Sequence, residues 1–315
     1  VIRLPEAFVE STLAREGGSE DAAGWLAGLP AVVEDLLGRW GCLPDGVLMF
    51  GGVGLVVPVL RQDGLPAALK VSFPHAGNRH EPDALAAWGG HGAVLLYERD
   101  DDQFAMLLER ARPLTLAQAG AGDEDAVARA AGQISRRLAV PAPAHLPRLK
   151  DQAGVWERQL RADAATFPHV LTPYAVAAAI ATVRELARDQ PDRLVHGDLN
   201  ARNILAADRE PWLAVDPKGW TGDPASDAGT LVKSRSVAVA ETSALGPAIQ
   251  RALDVFTDAA GLDRERTRRW AQLSAVQAAF AGRRQGFRRA RQGAELNRLI
   301  ALVDELATIL TTPHR

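Results

Sequence analysis

Apolar residues recur at helical spacing across residues 6–40, most clearly in WLAGLPAVVEDLLGRW, and Pro30 predicts a break between two helices. The pattern then changes. VLMFGGVGLVVPVL (47–60) and AALKVSF (67–73) are apolar, β-branched runs on either side of RQDGLP (61–66), which predicts antiparallel strands around an Asp-Gly hairpin. RHEPDALAAW (79–88) predicts a short helix closed by Gly89-Gly90. AVLLYER (93–99) and QFAMLLER (103–110) predict two further strands, with Asp100-Asp101-Asp102 turning between them.

After Arg110 the segments 114–139, 151–165 and 173–189 are rich in Ala, Leu and Arg and predict helices, and PAPAHLP (141–147) is a rigid connector. RLVHGD (193–198) and WLAVDP (212–217) predict brief strands ending in acidic residues, and 244–311 is helical again. The expected fold is α+β: an N-lobe over 1–110, built of N-terminal helices and an antiparallel sheet with one inserted helix, and a mostly helical C-lobe over 111–315.

Of the 315 residues, 47% are apolar and 24% charged, the balance of a folded chain rather than a disordered one. Net charge is −3, so no global electrostatic case arises for nucleic acid or an anionic membrane as partner. The single cysteine, Cys42, excludes an internal disulfide framework and a cysteine-based zinc site and fits a reducing compartment. No apolar run reaches the roughly 18–20 residues of a membrane span, and the N-terminus shows no basic-then-apolar leader, so the expected location is cytoplasmic. Only four lysines occur, at 70, 150, 218 and 233, against 32 arginines, which makes Lys70 inside an apolar strand unusual.

The most informative stretch is HGDLNARNIL (196–205), followed by Asp216 thirteen residues after Asn203. A carboxylate stands just after a short strand, a carboxamide five residues on, and a second carboxylate ends the next apolar run. If the runs at 193–198 and 212–217 form a hairpin, Asp198, Asn203 and Asp216 converge on one edge. That set suits phosphoryl transfer. Asp198 would orient the attacking hydroxyl and accept its proton, and Asn203 and Asp216 would offer hard oxygen ligands to Mg²⁺ on nucleotide phosphates. Asp and Asn also favour turns and caps, but the joint spacing is specific.

HGDLNARN with AVDP resembles the catalytic and metal-binding segments of the aminoglycoside phosphotransferase family, relatives of the protein kinases. REPWLAVDPK (209–218), GDPASD (222–227), GWLAGLPAVVEDLLGRW (24–40) and LVVPVLRQDGLPAALKVS (55–72) resemble its streptomycin 6-kinase / hydroxyurea phosphotransferase branch, and the likeness thins after about residue 228. The resemblance implies a bilobal protein-kinase-like fold and a kinase that moves the ATP γ-phosphate to a hydroxyl of an antibiotic-like or sugar-like acceptor. ATP and Mg²⁺ are its cofactors, the small-molecule acceptor its partner, and a monomer or weak dimer its state. It places Lys70 where such folds contact the α- and β-phosphates, with a carboxylate partner on the inserted helix. Glu81 is the candidate, Asp83 the alternative. Gly51, Gly52, Val53 and Gly54 would bring backbone amides to phosphate, although a glycine cluster there also makes an ordinary turn. The Glu109 carbonyl and Ala111 amide would meet the nucleobase edge; a plain linker reads the same way. His196 would shape the catalytic loop, Asp227 would brace it or start a helix, and Lys218 stays open.

The late helix departs from the family. AFAGRRQG (279–286) puts Arg283 and Arg284 where related kinases carry acids, and Arg288, Arg289 and Arg291 follow. If these face the acceptor, the pocket is less anionic than a streptomycin site and the expected acceptor is neutral or acidic. A solvated helix face is the other reading. Two other functional classes compete with a kinase. A nucleotide-binding protein without turnover is opposed by the complete Lys70, Asp198, Asn203 and Asp216 set. A metal-dependent hydrolase would need more clustered ligands than seven scattered histidines supply.

Overall fold

The computed structural model describes residues 2–16, 19–52, 54–242, 244–285 and 293–312, so Val53, Arg288, Arg289 and Arg291 lie outside the described residues. The chain divides into two compact units, Val1–Arg112 and Pro113–Arg315.

The first unit opens with helices α1 (Glu6–Arg15) and α2 (Glu20–Arg39). The break between them comes before Glu20, where the Ser19 hydroxyl caps α2 by accepting from the Ala22 amide at 3.3 Å. It does not fall at Pro30, which sits inside a continuous α2. A proline in a helix interior costs about 3 kcal/mol. The buried face Leu26, Leu29, Val33, Leu36 and Leu37 outweighs it, since each such side chain contributes ~2 kcal/mol on burial.

The sheet has strands β1 (Leu43–Pro44), β2 (Met49–Phe50), β3 (Gly54–Leu60), β4 (Pro66–Ser72), β5 (Leu96–Asp100) and β6 (Ala105–Glu109). Their order is β1-β3-β4-β6-β5, with β2 also paired to β3, and every pairing is antiparallel. The single run expected at 47–60 is therefore two strands parted by the glycines. Helix α3 (Glu81–Trp88) is inserted between β4 and β5. Leu55, Val57, Val59, Ala67, Leu69 and Val71 share one buried core with Phe8 and the α2 leucines. Strand alternation therefore turns Lys70 to the other face of β4.

The second unit holds α4 (Leu116–Ala119), α5 (Glu124–Leu138), α6 (Ala153–Thr166), α7 (Pro173–Thr182), α8 (Asp227–Thr242), α9 (Leu245–Ala260), α10 (Arg264–Gln285) and α11 (Gly293–Thr311). Helix α8 runs through AGTLVKSR (228–235), where the sequence pattern predicts no element. Four short strands sit among these helices: β7 (Arg193–Val195), β8 (Ile204–Ala206), β9 (Trp212–Ala214) and β10 (Trp220–Gly222). The runs at 193–198 and 212–217 are not hairpin partners. β7 pairs with β10 and β8 with β9, both antiparallel. The α+β expectation holds: an antiparallel sheet is followed by a mostly helical unit. Among the described residues no helix is long and apolar enough to cross a membrane.

Candidate active site

In the first unit, Lys70 on β4 meets Glu81 at the start of α3. The Nζ atom donates to Oε1 at 2.6 Å and to Oε2 at 2.8 Å. Glu81 is 1% exposed, so the pair is drawn out of water and each side chain meets its partner's charge in place of solvent. Asp83, the alternative, is held instead by Arg99 at 3.0 Å and His80 at 3.1 Å.

The glycines join β2 to β3, and the Gly51 amide closes the loop on the Gly54 carbonyl at 2.9 Å. A Cβ on Gly54 would stand 3.0 Å from Ser72 Oγ and 3.4 Å from Lys70 Cε, so this residue's smallness keeps the space beside the ammonium open. A Cβ on Gly52 would lie 3.0 Å from Arg15 Nη2, which puts a guanidinium from α1 against the same loop. Sequence reasoning did not single out Arg15. Glu109 ends β6 in register with Ala67 of β4; its amide donates to the Leu95 carbonyl at 2.8 Å, and its side chain accepts from the Leu95 amide at 3.0 Å. Ala111 follows two residues on, half-buried.

In the second unit, the loop 196–203 leaves β7 and enters β8. Asp198, Asn203 and Asp216 come together there, by a route other than the expected hairpin. The Val215 amide donates to the Asn203 carbonyl at 2.9 Å, and the Lys218 amide to the His196 carbonyl at 2.7 Å, which ties the end of β9 and the start of β10 to the loop. Asn203 Nδ2 donates to the Asp198 carbonyl at 2.9 Å and to Asp198 Oδ2 at 3.3 Å. Asp216 has a left-handed backbone, φ 62°, a conformation Asp tolerates and one common where a side chain is aimed for function.

Burial raises the Asp198 pKa, and the nearby charge of Asp216 pushes the same way; Lys218, Asn200 and Lys233 oppose it. A raised pKa makes the carboxylate a stronger proton acceptor. Asn200 and Lys233 were missed in the sequence. Lysine scarcity was a usable signal, since two of the four lysines act on this one carboxylate.

His196 is fully buried; its Nδ1 accepts from the Asp198 amide at 3.2 Å and its Nε2 donates to the Val215 carbonyl at 3.0 Å. Both ring nitrogens are engaged in holding the loop. Below it, Asp227 opens α8 and accepts from the His196 amide at 3.0 Å and the Gly197 amide at 2.8 Å. Complete burial pushes its pKa up to about 7 against those two donors.

Among the described residues no cluster of three or more His, Cys, Asp or Glu side chains could hold a metal alone. The donor set nevertheless fits Mg²⁺. That ion takes one or two protein oxygens and completes its shell with water and substrate phosphates. Asn203 turns its nitrogen to Asp198, which leaves Oδ1 with no donor among the described residues, and Asp216 adds a carboxylate.

A cavity of about 280 Å³ opens beside Gly197 within this unit, lined by Trp156, Trp220, Trp270 and Gln277 among others. Arg283 and Arg284 do not line it. Arg283 grips Asp304 with two bonds of 2.9 and 2.7 Å, and Arg284 pairs with the buried Asp163.

Residues 39–286 match the family described as aminoglycoside/hydroxyurea antibiotic resistance kinase. The match runs well past residue 228, where the legible motifs thin. The chain is 38% identical to streptomycin 6-kinase of Streptomyces glaucescens, across 86% of this chain and 87% of that one. It is 39% identical to hydroxyurea phosphotransferase of Kitasatospora aureofaciens, across 88% and 79%. A solved choline/ethanolamine kinase family protein from Mesorhizobium loti superposes with a TM-score of 0.56 at 14% identity, covering 89% of this chain and 97% of the other. Macrolide 2'-phosphotransferase MphH from Brachybacterium faecium gives 0.52 at 16% identity, covering 86% and 97%. At such identities these two likenesses speak to the fold alone. With its antiparallel sheet, its helical second unit and its HGDLNARN loop, the chain belongs to the aminoglycoside/hydroxyurea antibiotic resistance kinase family.

Proposed function

We propose that the protein transfers the γ-phosphoryl group of ATP to a hydroxyl of a small-molecule acceptor. The acceptor's O–H bond breaks as its oxygen bonds to phosphorus, the bond from phosphorus to the ADP oxygen breaks, and Asp198 takes the proton. The observation that carries this reading is the joining of Asp198 and Asn203 by direct hydrogen bonds with Asp216 close enough to perturb the Asp198 carboxylate. Lys70, fixed by Glu81, pairs with the α- and β-phosphates. The amides of the 51–54 loop cover the phosphates, and the Glu109 carbonyl and Ala111 amide hold the base. Asn203 and Asp216 hold Mg²⁺, which supplies neutralisation of phosphate charge when bound. The domain roles follow: nucleotide from 1–110, acceptor and metal from 111–315.

The acceptor pocket we assign is less acidic than one built for a polycation. Of the residues around the cavity only Asp227 carries charge, and both its oxygens are taken by loop amides. The late arginines do not make it basic either, because Arg283 and Arg284 are each matched by a carboxylate.

The test is mass-spectrometric detection of phosphorylated product across a panel of antibiotics, cyclitols and sugars with ATP and Mg²⁺. Product formed by the wild type and not by Asp198→Asn supports the reading. ATP binding with no turnover on any acceptor would favour a regulatory nucleotide binder instead.

A further inference from the structure

The cavity beside Gly197 has features that phosphoryl transfer alone does not require. Its walls come from the turn before α6 (Gln152), from α6 (Trp156), from β10 (Trp220) and from α10 (Trp270, Ser274 and Gln277). Trp156 and Trp270 meet edge to face, centroids 6.2 Å apart and planes at 87°. Trp270 is anchored from behind, its Nε1 donating to Asp223 Oδ2 at 2.6 Å. Trp220 rests on the catalytic loop itself. A Cβ on Gly197 would lie 2.8 Å from its Cδ1, and Gly197 has φ 78°, so this position takes glycine for both reasons. An aromatic face is thereby fixed against the residue that precedes Asp198.

Apart from Asp227, the polar lining is uncharged. The carboxamides of Gln152 and Gln277 have no side-chain hydrogen bond among the described residues, and both are half-buried. Asp227 is the one charged residue of the wall, and it is spent on the amides of His196 and Gly197. A guanidinium brought here would lose water and gain no open carboxylate, which is unfavourable for a buried charge. A ring with an apolar face and peripheral hydroxyls loses little and finds both indole surface and amide donors and acceptors. Volume narrows the choice further. Sites for drug-sized ligands start at roughly 300 Å³, so about 280 Å³ matches a single ring within the walls.

We propose that this cavity is the acceptor site and that it selects a single neutral polyhydroxylated ring, stacked on Trp156 and Trp220 and oriented by the Gln152 and Gln277 carboxamides. The inference rests on the phosphotransferase reading and names its substrate class. Trp156 and Gln277 are then specificity-determining residues, and Trp270 positions Trp156.

The experiment compares kcat/KM of the full chain, with ATP and Mg²⁺, for neutral single rings (the inositols and methyl hexosides) and for streptidine and streptomycin. At least one neutral ring is expected to exceed both cations by tenfold or more. Trp156→Ala and Gln277→Met are each expected to raise the KM for that ring at least tenfold and to leave the KM for ATP within twofold. Gln277 is half-exposed on a helix surface, so Gln277→Met keeps the test open if Trp156→Ala does not fold. Preference for streptidine or streptomycin over every neutral ring overturns the proposal. So does an acceptor KM unmoved by Gln277→Met, or ATP turnover that depends on Asp198 with no neutral ring phosphorylated. Absence of any Asp198-dependent ATP turnover instead overturns the kinase reading beneath it.

Discussion

Lys70 and Glu81 face each other across 2.6 Å in a buried setting, eleven residues apart in the chain, one on a strand and one at the first turn of the following helix. The pair's contribution to folding can be separated from its proposed role in nucleotide alignment. Glu81→Gln leaves a buried ammonium without its counter-charge and should cost about 3 kcal/mol in denaturant unfolding. The double replacement Lys70→Met with Glu81→Leu should recover most of that stability, because an apolar pair of similar volume suits the same space. It should not recover phosphotransfer. Recovery of turnover in the double variant would show that the pair serves the fold alone.

Asp198→Asn removes the proposed proton acceptor and keeps the shape. General-base removal typically costs about 10²–10⁴ in rate. The expected outcome is a kcat drop in that range, with ATP affinity by calorimetry and the thermal midpoint unchanged.

Removal of divalent ions should abolish turnover, and Asp216→Asn should raise the Mg²⁺ concentration needed for half-maximal rate. Asn is a weaker ligand for a hard cation than a carboxylate. Equal Mg²⁺ dependence in variant and wild type would move the metal role away from Asp216.

Gly197→Ala should damage the 196–203 loop from two directions. The backbone is left-handed there and the added methyl meets the Trp220 ring. Strain of this kind costs roughly 1–3 kcal/mol, so both the thermal midpoint and kcat should fall. Addition of Trp220→Ala should relieve the steric part and restore some stability.

Asp227 gives a pH signature. Its folded-state pKa of about 7 lies above the ordinary 3.8, so the native protein keeps a proton that the unfolded chain releases between those values. Stability contributed by this site is therefore greatest at the acid end of the window and declines as pH rises through it. Thermal midpoints of wild type should fall relative to Asp227→Asn between about pH 4 and 7 and run parallel above it. Curves that stay parallel throughout would remove Asp227 as the source.

Much of this was readable in the chain. Pro82 and Trp88 bracketed α3, which put Glu81 at its start, and the scarcity of lysine marked Lys70 before any strand was seen. The loop HGDLNARN stood out by its spacing, and the structure brings Asp198 and Asn203 within hydrogen-bond reach there. Pairing did not declare itself. β7, β8, β9 and β10 are three residues each, too short for alternation to state which partners which, and the neighbours of β7 are fixed by contacts at residues 220–222 that no local pattern signals. Pro30 misled because a single breaker was weighed without the leucine face that overrides it. The pairing of Arg284 with Asp163 joins residues 121 apart in the chain, and a one-dimensional reading sees only an arginine where an acid was awaited.

Seven tryptophans are present, and three of them, Trp156, Trp220 and Trp270, border one cavity next to Gly197. Indole emission answers to local polarity and to quenching neighbours. The protein thus carries an optical gauge at the place where an acceptor would settle, and occupancy can be followed by intrinsic fluorescence with no label, no coupled assay and no nucleotide in the cuvette.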